Sequence, residues 1–92
     1  MPNRASRESS RYRDHARHLA STLKTARQRQ ALSQQELAQR ANVAIGTVRA
    51  IEAGRTVEPG FFTVLALAHA LDMDMPTLLQ AAQPNTRSPS AI

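Results

Sequence analysis

The chain has 92 residues, with 12 Lys or Arg against 7 Asp or Glu and no Cys. That length supports one compact domain with an economical core, and the missing Cys excludes a disulfide framework, a zinc finger and a thiol nucleophile together. No segment approaches the ~20 apolar residues of a membrane span, and the N-terminus lacks the apolar run of a secretory signal, so a cytoplasmic protein is expected.

Residues 1–9 are polar, without a hydrophobic period, and read as a disordered tail. A helical stripe then begins. Tyr12, Ala16, Leu19, Leu23 and Ala26 recur at steps of three and four over residues 10–30, leaving a basic outer face. Arg4, Arg7, Arg11, Arg13, Arg17, Lys24, Arg27 and Arg29 face only Glu8 and Asp14 in the first thirty residues, so the rest of the chain is close to neutral. Such a concentration of charge suits a polyanion, whose counterions the bases displace. A solvated, weakly ordered basic segment has the same composition.

Ser33 is a natural N-cap for a second helix over residues 34–41, and Glu36 stands where a capping box needs it. Leu37, Ala38 and Ala41 share one face. Asn42 supplies a left-handed turn residue. A third helix over residues 44–53 turns Val43, Val48 and Ile51 inward, and Gly54 ends it. Pro59 and Gly60 mark a loop. A fourth helix over 61–71 carries Phe61, Val64, Leu67, Ala68 and Leu71 as a core stripe. Asp74 caps a fifth over 75–82, where Pro76 is tolerated in the first turn. Met73, Met75 and Leu78 are expected to close the core. Residues 83–92 read as a disordered tail. The domain is therefore expected over 10–82, all-α, with five helices and no strand.

Residues 34–53 obey the steric rules of a helix-turn-helix. Ala38 is small where two helices cross, Asn42 makes the turn, and Val43, Val48 and Ile51 bury the second helix's inner face. Its outer face is then free to enter a major groove about 12 Å wide.

Leu-Ser-Gln-Gln-Glu-Leu-Ala (32–38), Val-Arg-Ala-Ile-Glu-Ala-Gly-Arg (48–55) and Leu-Ala-His-Ala-Leu-Asp-Met (67–73) resemble the Xre-type helix-turn-helix domain of the phage lambda and 434 repressors. The resemblance spans about residues 19–80. It implies a five-helix lambda-repressor-like fold, binding of double-stranded DNA through the third helix, and a homodimer on a palindromic operator. It also implies a phosphate contact from Gln34, which the helix N-terminus would support, and a structural ion pair between Arg27 and Glu52. Arg55 and the basic first helix, with Arg17 and Lys24, are further candidates for phosphate contacts. The base-reading positions are Ala44, Ile45, Gly46, Thr47, Arg49 and Ala50, where many relatives carry Gln, Ser, Arg or Asn. Small and apolar groups there suit thymine methyls, leaving Arg49 as the one strong donor. Ala44 lacks the hydroxyl that commonly caps this helix.

On the fourth helix Phe62, Leu65, Ala66 and His69 form an uncharged outer stripe. It is either a contact surface for a second copy or another protein, or a face covered by the first helix. His15 and His18 lack a third ligand for a metal. No catalytic constellation is legible, and no enzyme activity, cofactor or membrane association is expected. The expected role is a sequence-dependent transcriptional regulator. The rivals are an antitoxin-like protein-interaction module using the fourth helix, and a non-specific nucleic-acid coater.

Overall fold

A computed structural model describes residues 2–56 and 59–83, with side chains from residue 12 onward. Five helices follow in order: α1 (Pro2–Arg29), α2 (Gln34–Ala41), α3 (Ile45–Glu52), α4 (Phe61–Ala70) and α5 (Met75–Ala81). Among the described residues there is no strand, so the fold is all-α as the periodicity implied. α2 packs against α3 and α4, while α1 packs against α3 and α5. The core centres on Leu23, Leu37, Val48 and Leu67, each almost wholly buried.

The caps follow from local chemistry. Ser33 Oγ accepts from the Glu36 N–H at 3.0 Å, and Glu36 Oε1 accepts from the Ser33 N–H at 2.8 Å, the reciprocal pair of a capping box. The Ser33 N–H, with the Ser33 hydroxyl second, holds the Glu36 carboxyl below its ordinary range. Asp74 caps α5 by accepting from the Thr77 N–H at 3.0 Å. α3 starts at Ala44 with no side-chain cap.

The first four helices close in one way. A left-handed residue closes each, and the next N–H reaches back to a carbonyl five residues earlier. The left-handed residues are Ala31, Asn42, Gly54 and Asp72, with φ of 58°, 59°, 73° and 62°. The long bonds run from Leu32 N–H to Arg27 O, Val43 to Ala38, Arg55 to Ala50 and Met73 to Ala68, at 2.8–3.1 Å. Asn42 and Gly54 advertise this conformation, Asp72 does so more weakly, and Ala31 does not. At Ala31 the backbone cost is offset by Leu32, which the turn delivers into the core.

Two expectations need correction. Residues 2–9, read as part of a disordered tail, form the first turns of α1. No Gly interrupts them, and Pro2 stands at a first-turn position that proline tolerates. Tyr12, Phe61 and Met75, read as core, are exposed. Tyr12 lies a turn beyond Ala16, and Phe61 a turn before Val64, so the core ends before reaching either. On α5 Leu78 and Ala81 supply the buried face, leaving Met75 outside. The expected C-terminal tail lies outside the described residues from residue 84 on. No single helix among the described residues is long and apolar enough to cross a membrane; α4 and α5 pass that test only as a pair bent by 119°.

Candidate nucleic-acid interface

Three helix ends meet at one buried cluster. Arg27, in the last turn of α1, donates through Nε to Glu52 Oε2 at 2.8 Å and through Nη2 to Glu52 Oε1 at 3.0 Å. Its Nη1 donates to the Leu32 carbonyl at 2.7 Å. The pair is two-pronged, and its side chains are only 11% and 4% exposed. Glu52 Oε1 also accepts from Gln34 Nε2 at 3.0 Å. One carboxylate thus ties α1, the start of α2 and the end of α3 together. The family resemblance brought Arg27 and Glu52 into view as a pair; it did not reveal that Gln34 joins them.

Gln34 stands in the first turn of α2, half-buried. Its amide nitrogen carries two hydrogens, one of which Glu52 engages. The other, together with the first backbone N–H groups of α2, remains to meet an anion. Glu52 therefore fixes the rotamer of the side chain expected to touch phosphate.

On α3 and its N-cap, Ala44, Gly46 and Arg49 are exposed, while Ile45, Thr47 and Ala50 are half-buried. Ile45 packs against the core, so only part of it is offered outward. A Cβ at Gly46 would meet no atom within 4 Å. Packing does not require glycine there, and its absence of a side chain leaves the α3 backbone bare on the outer side. Gly46, Thr47 and Ala50 form one wall of a shallow cleft of about 320 Å³, whose other wall comes from Thr56, Pro59, Gly60 and Thr63. Thr56 and Thr63 carry hydroxyls beside the reading face. Sequence periodicity did not single them out, because they come beside α3 only once the helices are docked.

Arg13, Arg17, Lys24, Arg40, Arg49 and Arg55 are all exposed. Arg27–Glu52 is the only ion pair among the described residues, so these cations stand open to solvent. Arg55 follows directly on the left-handed Gly54 at the end of α3. Arg17 lies beside the same glycine, its Cγ 3.6 Å from where a Cβ at Gly54 would stand.

The apolar stripe on α4 is uneven. Phe62 is 79% exposed and Phe61 59%, their rings edge-to-face at 5.2 Å. Leu65 and Ala66 are half-buried, with Ala66 packed on the core, and His69 is exposed. The chief packing of α1 is on α3 and α5, and it leaves Phe62 uncovered. Among the described residues no group of three potential metal ligands occurs; His18 Nδ1 instead lies 2.7 Å from the Ala81 carbonyl of α5.

Residues 18–82 match the family model of a helix-turn-helix domain, which covers well over half of the chain. The protein belongs to the helix-turn-helix domain family, a class of DNA-binding domain, in agreement with the Xre-type resemblance of its motifs. Comparison with curated proteins returned no match.

Proposed function

We propose that this protein is a sequence-dependent transcriptional regulator that places α3 in the major groove as a homodimer on a palindromic operator. The observation that carries this reading is the outer side of α3 and its N-cap, where Ala44, Gly46 and Arg49 are exposed, on a helix tied to α1 and α2 by the Arg27–Glu52–Gln34 cluster. Gln34, Arg55, Arg17 and Lys24 contact phosphates and set register. Ala44, the outer edge of Ile45, Thr47, Arg49 and Ala50 meet base edges, with Arg49 the one side chain able to pair two donors with guanine. Gly46 lets the α3 backbone approach closely. With so few polar readers, part of the discrimination comes from DNA shape and deformability. The protein acts by occupying DNA, without catalysis or a cofactor.

A salt titration on duplex DNA tests the reading. Four phosphate contacts per protomer predict a log-affinity slope of roughly −7 against log salt for a dimer. A flat response would remove DNA from the account.

The exposed Phe62 supports a second role for α4, as the self-association surface or as the seat of another protein in an antitoxin-like arrangement. Sedimentation of Phe62→Glu separates the cases. A fall from dimer to monomer assigns the face to self-association, and an unchanged mass leaves it to a different partner.

A further inference from the structure

α4 is apolar on every side. Its ten residues, Phe-Phe-Thr-Val-Leu-Ala-Leu-Ala-His-Ala, include no Asp, Glu, Lys or Arg. Val64, Leu67 and Ala68 face the core, while Phe62 stands 79% exposed on the other side. A helix apolar all round belongs inside an assembly. With about 200 Å² per phenylalanine, Phe61 and Phe62 alone leave roughly 280 Å² open. Charge selects the occupant. The chain carries a net +5, and Arg13, Arg17, Lys24, Arg40, Arg49 and Arg55 stand exposed elsewhere on the surface. An acidic partner would be drawn to those cations. A second copy of the same chain is repelled by them, and across α4 two copies meet without opposing like charges.

The face is also self-complementary. At about 100° per residue, Phe62 and His69 lie within about 20° of one line along α4, with Leu65 about 50° to one side and Ala66 about 50° to the other. The midpoint of the helix falls between Leu65 and Ala66, about 5 Å from both Phe62 and His69. A two-fold axis through that midpoint, perpendicular to α4 and lying in the interface, sets Phe62 of each copy against His69 of the other. An aromatic ring then meets an imidazole at both ends, and Ala66 is small enough for the helices to approach closely. Phe61, edge-to-face on Phe62 at 5.2 Å, supports the ring. Thr63, which lines the cleft beside α3, lies on the Ala66 side of α4. The antiparallel pairing keeps both copies of that cleft on one side of the dimer, as a single duplex requires. A parallel pairing would put them on opposite sides.

We propose that α4 is the seam between two copies, paired antiparallel through Phe62 and His69, and that this seam closes on DNA rather than in free solution. The inference rests on the proposed homodimer and names its contact and its regulation. Two patches of this size bury less than the about 1,200 Å² that stable interfaces reach. The free dimer is therefore weak and is populated only in concentrated protein. Two neighbouring half-sites complete it by raising the effective concentration of one copy beside the other. Occupancy of the operator then responds steeply to protein concentration.

The chain has no Cys, so single cysteines report the pairing. In the antiparallel seam the two Cα atoms of Leu65→Cys stand about 5–7 Å apart, within disulfide reach, while those of His69→Cys are more than about 10 Å apart. Gln80→Cys, at an exposed position of α5, measures random collision. Each full-length variant is oxidised at high concentration in a glutathione buffer, and circular dichroism confirms its helix content. Leu65→Cys is expected to give the main covalent dimer, and adding Phe62→Glu should abolish that excess. Equal yields at the three positions, or the highest yield at His69→Cys or Gln80→Cys, would overturn the seam. A second arm titrates the wild type and Phe62→Glu onto a duplex selected from a random pool, intact or with one half scrambled. The second wild-type copy should bind roughly 5–150-fold more tightly than the first. In Phe62→Glu that preference should vanish. Independent filling of the two halves by the wild type would overturn the coupling to DNA. Absence of any selected duplex, with the Leu65→Cys excess intact, would overturn the sequence-reading role and the coupling with it, while leaving the seam.

Discussion

Replacing Glu52 with Ala strips the acceptor from three donors at once: Arg27 Nε, Arg27 Nη2 and Gln34 Nε2. The guanidinium keeps only its bond to the Leu32 carbonyl. Breaking one side of a buried ion pair costs about 3–5 kcal/mol, because the remaining charge stays desolvated and unpaired. Arg27 retains some access to water, its side chain being 11% exposed, which places the cost near the lower end. A loss of about 3 kcal/mol is a large share of the roughly 5–14 kcal/mol expected for a domain of this length. It should lower the melting midpoint by more than about 10 °C. Chemical denaturation of Glu52→Ala, Arg27→Met and the double variant Arg27→Met/Glu52→Leu provides the assay. The double variant should recover most of the stability, since apolar replacement of a buried pair is often close to neutral. It should still bind DNA more weakly, because Gln34 has lost the acceptor that orients its amide. A loss below about 1 kcal/mol for Glu52→Ala would mean that the pair behaves as a solvent-screened surface contact, refuting its place as the keystone of the interface.

Ala31→Gly should stabilise the fold by about 0.5–1 kcal/mol in urea denaturation, because φ at this position is 58° and glycine adopts it without the Cβ clash. Gly46→Ala should raise stability by a similar ~0.5–1 kcal/mol, since a helical glycine is costly and the added methyl meets nothing. The same methyl stands on the bare side of α3, so duplex affinity should fall, separating stability from binding in one variant. In acid the signs are set by two depressed carboxyls. Glu36, held down by the Ser33 N–H, and Asp74, held down by Thr77, favour the fold above their ordinary values of 4.5 and 3.8. That contribution is lost as pH falls through their lower folded-state values, and Glu36→Gln should flatten the acid limb of a stability–pH profile.

The legibility of this chain followed the range of the forces involved. The capping box at Ser33 and Glu36, the turn at Asn42, the end at Gly54 and the cap at Asp74 are all contacts within a few residues, and each residue type announces its conformation. The left-handed Ala31 could not be read, since alanine favours the opposite conformation and only the burial of Leu32 decides the matter. The exposure of Phe61 and Met75 was equally hidden: a hydrophobic period gives a face but not the point at which the core stops. At the candidate interface, local spacing located α3 and the positions on its outer side. The engagement of Gln34 by Glu52 and the seating of Arg17 against Gly54 join residues far apart in the chain. Neither is visible until the helices are docked.

The central claim is that α3 reads DNA sequence. Selection of bound duplexes from a random pool at near-physiological salt, followed by sequencing, addresses it most directly. The account predicts a palindromic consensus with half-sites about one helical turn apart. A pool that the protein binds but leaves unenriched in sequence would contradict it.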